Sequence, residues 1–338
     1  FTDGVQRNSI TFTLNKGQTY IVDGRSLTVN NLDGFIGTKI ISDKPISITN
    51  GNFNGQYISG TNPESGSDIL MDQSVPTDKL GNEFGIIKGY GRISSDGNGM
   101  ERAIIVATKN QTKIYINSSS TPITTLNEGE YYFVPDSFYI RHGYNHYNLH
   151  IKTTENVYVY QVLGGVEWSD SAIATGGMNY IPPLNCYLPR KIEEIGHINS
   201  IGDSPRTAKL NIISEKGAKI LINGEPIDPY YGPFPLANNS WETYSVYHFS
   251  GNITIQSNKA ITAGIAAGDG GAEGYGGYFA GFSNIPLISK KSGECLPDVI
   301  LELPEGYDMY IWEKKNEDGT STKISEGSHL FKPTEIGY

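Results

Sequence analysis

The chain has 338 residues, room for two to three ordinary domains, and it is rich in glycine (40) and tyrosine (22) but poor in methionine (4), a texture that favours twisted antiparallel sheets and tight turns over helices. A formal net charge of −10 with no basic run excludes a nucleic-acid surface, which needs clustered Lys and Arg against phosphate. No apolar run approaches the ~20 residues of a membrane-spanning helix, and the two cysteines, Cys186 and Cys295, form no C-x-x-C pair, so a zinc ribbon or thioredoxin-like motif is excluded.

In chain order, Leu14-Asn-Lys-Gly-Gln-Thr-Tyr-Ile-Val predicts a polar turn entering a strand. Gly37-Thr-Lys-Ile-Ile-Ser-Asp-Lys-Pro-Ile-Ser-Ile-Thr-Asn-Gly-Asn then predicts a strand, a polar turn and a second strand ending in glycine, the pattern of a β-hairpin. Arg102-Ala-Ile-Ile-Val-Ala-Thr-Lys-Asn-Gln-Thr-Lys-Ile-Tyr-Ile-Asn predicts another hairpin, turning at Lys109 to Gln111, and it is matched by Lys209-Leu-Asn-Ile-Ile-Ser-Glu-Lys-Gly-Ala-Lys-Ile-Leu-Ile-Asn. Leu126-Asn-Glu-Gly-Glu-Tyr-Tyr-Phe-Val repeats the Leu14 stretch at an offset of about 112, and the Gly37 cassette returns from Asn148 and from Asn252. The offset of about 104 between the last two copies holds again from Ile181-Pro182 to Ile285-Pro286.

Repetition at that scale predicts an all-β chain of about three related sandwich-like modules: residues 1–90, 91–195 and 196–294. The opening hairpin of the first module would precede Phe1, so the chain is expected to begin inside that module. From 295 to 338 the texture changes to strands around Trp312 and a Gly337-Tyr338 corner, resembling the start of an immunoglobulin-like domain.

The Gly37 cassette, Ser67-Asp-Ile-Leu-Met-Asp-Gln-Ser-Val-Pro, Gly81-Asn-Glu-Phe and Ala103-Ile-Ile-Val-Ala-Thr together resemble the IgGFc-binding protein N-terminal domain over most of residues 1 to about 290. The tail resembles the immunoglobulin-like repeats that follow such domains in very large secreted surface proteins, including those of gliding bacteria. The resemblance implies an extracellular adhesive or ligand-binding segment of a multidomain protein, non-catalytic, with a surface glycan or extracellular protein as partner. A purely structural stalk is the alternative, and a glycan hydrolase ranks third. Secretion, so implied, makes a Cys186–Cys295 disulfide a candidate.

Candidate chemistry concentrates in the Gly-rich loops that follow each cassette, since variable surface loops between strands in register are where binding sits. Glu167, Trp168 and Asp170 lie in the second loop, and Asp269, Glu273, Tyr275 and Tyr278 in the third. Rings beside carboxylates suit stacking on sugar faces and hydroxyl binding, with Trp168, Tyr275 and Tyr278 as stacking groups. Asp96, Asn98 and Glu101 offer hard oxygen ligands on a flexible turn, a calcium candidate without EF-hand spacing. His142, His146 and His150 recur every fourth residue, but on a strand such positions sit roughly 13 Å apart, which favours ordinary strand residues over a zinc site.

Overall fold

Alternation of apolar and polar side chains makes antiparallel β-sheet the dominant regular structure of the described residues. The computed structural model describes residues 9–22, 34–53, 69–91, 101–143, 146–164, 175–185, 188–200, 207–269, 273–279, 288–293, 295–303, 309–316, 318 and 320–335. The chain divides into two units, Phe1–Phe282 and Ser283–Tyr338.

In the first unit, β1 (Ile48–Asn52) and β2 (Leu70–Ser74) pair with each other. Next come β3 (Gly81–Ile87), β4 (Arg102–Ala107), β5 (Thr112–Ile116), β6 (Thr124–Leu126), β7 (Tyr131–Val134), β8 (Ile140–Arg141), β9 (Tyr147–Gly164) and β10 (Thr175–Tyr180). The 18-residue β9 is their spine. Its first half bonds β3, β5 and β8, and its second half bonds β4 and β10. β6 extends from β5 and β7 from β4, so the sheet curls into a nearly closed barrel. β3, which the sequence boundaries place in the first module, is therefore bonded into the second.

A second copy of this arrangement follows with β11 (Lys191–Ile195), β12 (Thr207–Glu215), β13 (Ile220–Ile222), β14 (Glu225–Pro226), β15 (Phe234–Pro235), β16 (Trp241–Tyr247), β17 (Ile253–Ser257), β18 (Ile261–Asp269) and β19 (Glu273–Phe279). Its sheets run β11-β17-β13-β14 and β15-β16-β12-β18-β19. β17 and β18 stand where the two halves of β9 stand, and the pairs β1–β2, β9–β10 and β18–β19 recur across all three copies.

The expected hairpins are corrected by these pairings. β17 bonds β11 and β13 while β18 bonds β12 and β19, so the two arms of the cassette never bond each other. Likewise β4 pairs with β7 and β9, whereas β5 pairs with β6 and β9. Each element is an arch that carries the chain across the core, in the second module between two parts of one curled sheet and in the third from one sheet to the other. Leu149, Ile151, Val157 and Val159 all enter one apolar core, and Ile253, Ile255, Ile261 and Ala263 all enter the next, so the two arms face each other through packed side chains. Polar residues satisfy the backbone at the corner: the Thr153 hydroxyl donates to Glu155 O at 2.6 Å, and Lys113 N donates to Thr154 Oγ1 at 3.0 Å. In the first copy only the second arm is a strand, and Ile40 and Ile41 of the first arm are exposed.

The second unit holds a three-stranded sheet of β20 (Ser289–Ser292), β21 (Ile300–Glu302) and β24 (Leu330–Phe331), and a two-stranded sheet of β22 (Ile311–Lys315) and β23 (Ser321–Glu326). Trp312 is its buried centre, stacked on Phe331 at 5.1 Å and donating Nε1–H to Ser328 O at 2.9 Å. Gly337 and Tyr338 lie outside the described residues.

Candidate functional site

The second and third Gly-rich loops leave the fold from neighbouring strand ends. Loop 165–174 joins β9 to β10, and loop 270–272 joins β18 to β19. Just inside these ends, a Cβ built on Gly177 of β10 would meet Gly276 N at 3.9 Å and Tyr275 Cα at 4.0 Å. The Asn179 amide donates to Gly276 O at 3.1 Å. Gly276 must be glycine for β19 to come this close, because a Cβ there would sit 2.3 Å from Leu163 Cδ1 and 2.8 Å from Ile265 O.

At the end of β9 lies a buried charge cluster. Glu101 is fully buried, and its Oε1 accepts from Gly89 N (2.7 Å) and Gln161 Nε2 (2.9 Å), while its Oε2 accepts from Gly164 N (3.0 Å) and Gly91 N (3.2 Å). Gly164 is the last residue before the loop, so one carboxylate holds the loop's stem. Two lysines share the cluster. Lys209 Nζ donates to Lys88 O and to Gly89 O (3.0 Å), and Lys88 Nζ donates to Gly91 O at 2.6 Å. Lys209 Nζ also lies 5.6 Å from the ring centroids of both Tyr90 and Tyr247. Burial holds both ammonium groups below the usual lysine range, Lys88 adds repulsion at Lys209, and Glu101 opposes the shift at each.

A second polar patch joins the two modules. The His146 ring stacks on Phe234 at 4.5 Å, with Nδ1 2.9 Å from Ser245 Oγ and Nε2 2.7 Å from Thr243 Oγ1. Asn148 donates to Thr243 Oγ1 (2.9 Å) and Pro235 O (3.1 Å), and Ser245 donates to Asn211. Burial, then the charges of Lys209 and His142, push His146 down to about 3, so it is neutral in the folded protein. His142 and His146 are not spaced along one strand: a turn between β8 and β9 brings their rings to 5.8 Å. His150 instead meets Glu83 Oε1 at 3.1 Å, which also accepts from Asn238 at 2.6 Å. These bonds hold the Glu83 carboxyl down at about 2.

The sequence-predicted residues fall into three groups. Glu167, Trp168, Asp170, Asp96, Asn98 and Cys186 lie outside the described residues, while Asp269 and Glu273 are placed by backbone alone as the last rung of the β18–β19 pair. Tyr275 packs on the core of the third module and donates its hydroxyl to Ile198 O at 2.8 Å. Tyr278 packs on the core of the second module, and burial pushes its phenol well above the usual range. Tyr275 thus packs within its own module, and Tyr278 joins the third module to the second. Glu101, the third calcium candidate, has both oxygens engaged by the stem it clamps. Cys295 is an exposed free thiol in the second unit.

No curated protein matched the chain. A lectin from Pleurotus ostreatus, solved in complex with GalNAc, shares 10% identity at a TM-score of 0.15, covering 68% of this chain and 84% of its own. A Lactobacillus rhamnosus β-glucuronidase shares 10% identity at 0.14, covering 78% and 48%. At such scores neither likeness carries an argument about ligand or reaction. The family described as IgGFc binding protein matches residues 1–267, the three-copy β region, and the chain belongs to that family.

Proposed function

We propose that this chain is an extracellular, non-catalytic ligand-binding segment of an adhesive surface protein, with the second and third Gly-rich loops forming one contact surface for a glycan or glycoprotein. The observation that carries this reading is the approach of Gly177 to Tyr275 and Gly276, which sets the stems of the two loops side by side. The Glu101 clamp and the Gly276 contact fix those stems, so the loops are presented from a rigid base and lose less entropy on binding. Family membership supports a binding role; the identity of the ligand is a matter for experiment. Replacing residues 165–174 by a Gly-Ser linker of equal length should abolish retention on a glycan and glycoprotein array, and replacing 270–272 should weaken it. Unaltered array binding by both variants would refute the shared surface.

One observation favours a structural stalk instead. Tyr275 and Tyr278, which suited ligand stacking on sequence, pack within and between modules. On that reading the modules act as stiff spacers, and neither loop replacement changes any binding of the parent protein.

A further inference from the structure

The second and third modules meet through charged and hydroxyl groups as well as through apolar packing. Ile87 of β3 shares a buried apolar cluster with Ile213, Leu236, Trp241 and Ala260 of the third module. Beside that cluster, polar bonds cross the boundary. Lys209 of β12 reaches Lys88 O and Gly89 O, and the His146 ring reaches Thr243 and Ser245 of β16. Asn148 reaches Thr243 and Pro235 O, and Asn238 reaches Glu83. Polar boundaries of this kind part more readily than an apolar core, because separation returns their groups to water while each module stays folded.

His146 sits in this boundary only 1% exposed, yet its hydrogen bonds do not keep a proton away from it. Thr243 Oγ1 also lies 3.1 Å from Phe234 O, and Ser245 Oγ lies 3.0 Å from Asn211 Oδ1. Both hydroxyls therefore have a second acceptor, and a doubly protonated ring keeps both of its bonds by donating to them. Charge is what the site opposes. Burial away from water acts first, then the charges of Lys209 on β12 and of His142, whose ring is 5.8 Å away on the turn after the exposed Arg141 of β8. Lys88, just after β3, adds a further cation, with Nζ 5.4 Å from the Tyr147 ring. The carboxylates of the packed elements are engaged elsewhere: Glu101 by the backbone and Gln161, Glu83 by His150, Asn238 and Lys152, and Glu242 of β16 by Gly217 N. Burial raises the phenols of Tyr90 and Tyr247, so neither supplies a negative charge in acid.

We infer that the junction between the second and third modules is an acid-released latch: a proton on His146 faces Lys209 across the boundary without a counter-charge and drives the two modules apart while each keeps its own core. Opening parts Gly177 from Gly276, so the stems of the two Gly-rich loops separate whatever those loops bind. His146 is held down at about 3 in the closed junction against 6.5 ordinarily, so it costs closure nothing above 6.5 and weakens it as pH falls from 6.5 towards 3. Linkage makes the opening constant about fifteenfold larger at pH 5 than at pH 6.5. Lys209, held below the ordinary lysine range by burial, makes its own contribution in more alkaline solution.

Two thiol probes test the latch in the full chain: Ala260→Cys, in the cluster that the two modules share, and Ala263→Cys, in the core of the third module alone. A pyridyl disulfide, which reacts with thiols in acid as well as at neutral pH, labels each variant, and mass spectrometry follows the reaction at the introduced residue. Dividing by the rate for an unfolded reference peptide at the same pH gives the opening constant. Ala260→Cys should label faster than Ala263→Cys, with an opening constant that rises about fifteenfold from pH 6.5 to pH 5. Adding His146→Gln should remove the rise, and adding Lys209→Met, the second route where the first variant fails to fold, should shrink it. The latch is overturned if the two thiols stay equally protected at every pH, since the modules then part only by unfolding, or if neither substitution reduces the rise.

Discussion

Removing the Glu101 carboxylate is the sharpest perturbation of the proposed loop platform. Glu101→Ala leaves three backbone N–H groups and the Gln161 amide without their acceptor, in a site with no exposure, and strips Lys88 and Lys209 of the only carboxylate beside them among the described residues. Hydrogen bonds to an ionised group are worth about 1.5–3 kcal/mol each but do not add when they share one acceptor. Leaving a buried donor without its acceptor costs about 1–3 kcal/mol, and because the four donors share one acceptor we take about 3 kcal/mol as the whole effect. Against a typical total of about 5–15 kcal/mol, the variant should unfold at markedly lower urea while remaining foldable. Hydrogen exchange should show the largest gain at Gly89, Gly91 and Gly164. Because both oxygens are engaged, calcium chelation should leave the wild-type thermal midpoint in place. A loss below about 1 kcal/mol would refute the clamp, as would calcium stabilising the wild type but not Glu101→Ala.

His146 gives a pH prediction. It is held down at about 3 in the folded protein against 6.5 ordinarily, so the unfolded chain takes up a proton first and stability falls as pH drops from 6.5 towards 3; by linkage the loss at pH 5 is about 2 kcal/mol. Glu83, held at about 2 against 4.5, contributes stability that is fully present above 4.5, so urea titrations between pH 5 and 7 isolate His146, and His146→Gln should flatten the slope; an unchanged slope contradicts the assignment. Gly276→Ala should cost about 1–3 kcal/mol by overpacking against Leu163 and Ile265 O, read as a lower thermal midpoint. Tyr278→Ala should cost about 3–5 kcal/mol through loss of buried ring area, with array binding per folded molecule unchanged. Cys295 should react with a maleimide in native, unreduced protein, and resistance to labelling would instead support its pairing with Cys186.

The sheet class and the repeat were legible because both rest on alternation. Leu149, Ile151, Val157 and Val159 announce two strands on either side of a polar corner. What alternation cannot say is whether those strands lie side by side or face each other across a core, since a hairpin and an arch bury the same residues; the pairing of β17 and β18 with different partners decides it. The polar face of the strands was harder to read. His146, Asn148, Lys209, Asn211, Thr243 and Ser245 occupy positions that an isolated sheet would give to water, yet they are buried where one module packs on the next. Lys209, within the apolar run Ala208 to Ile213, was the available signal, because a charge there needs a buried partner. Tyr275 and Tyr278 were legible as aromatic anchors, but glycine-flanked rings suit module packing as well as ligand stacking.

The most direct test of the proposed function is Trp168→Ala, measured for ligand affinity and thermal midpoint on the same preparation. A ring anchoring a ligand from the second loop should lose about 1–3 kcal/mol of binding while the midpoint barely moves. A loss of about 3 kcal/mol or more in stability with affinity per folded molecule unchanged would make the ring core packing and leave the stalk as the better account.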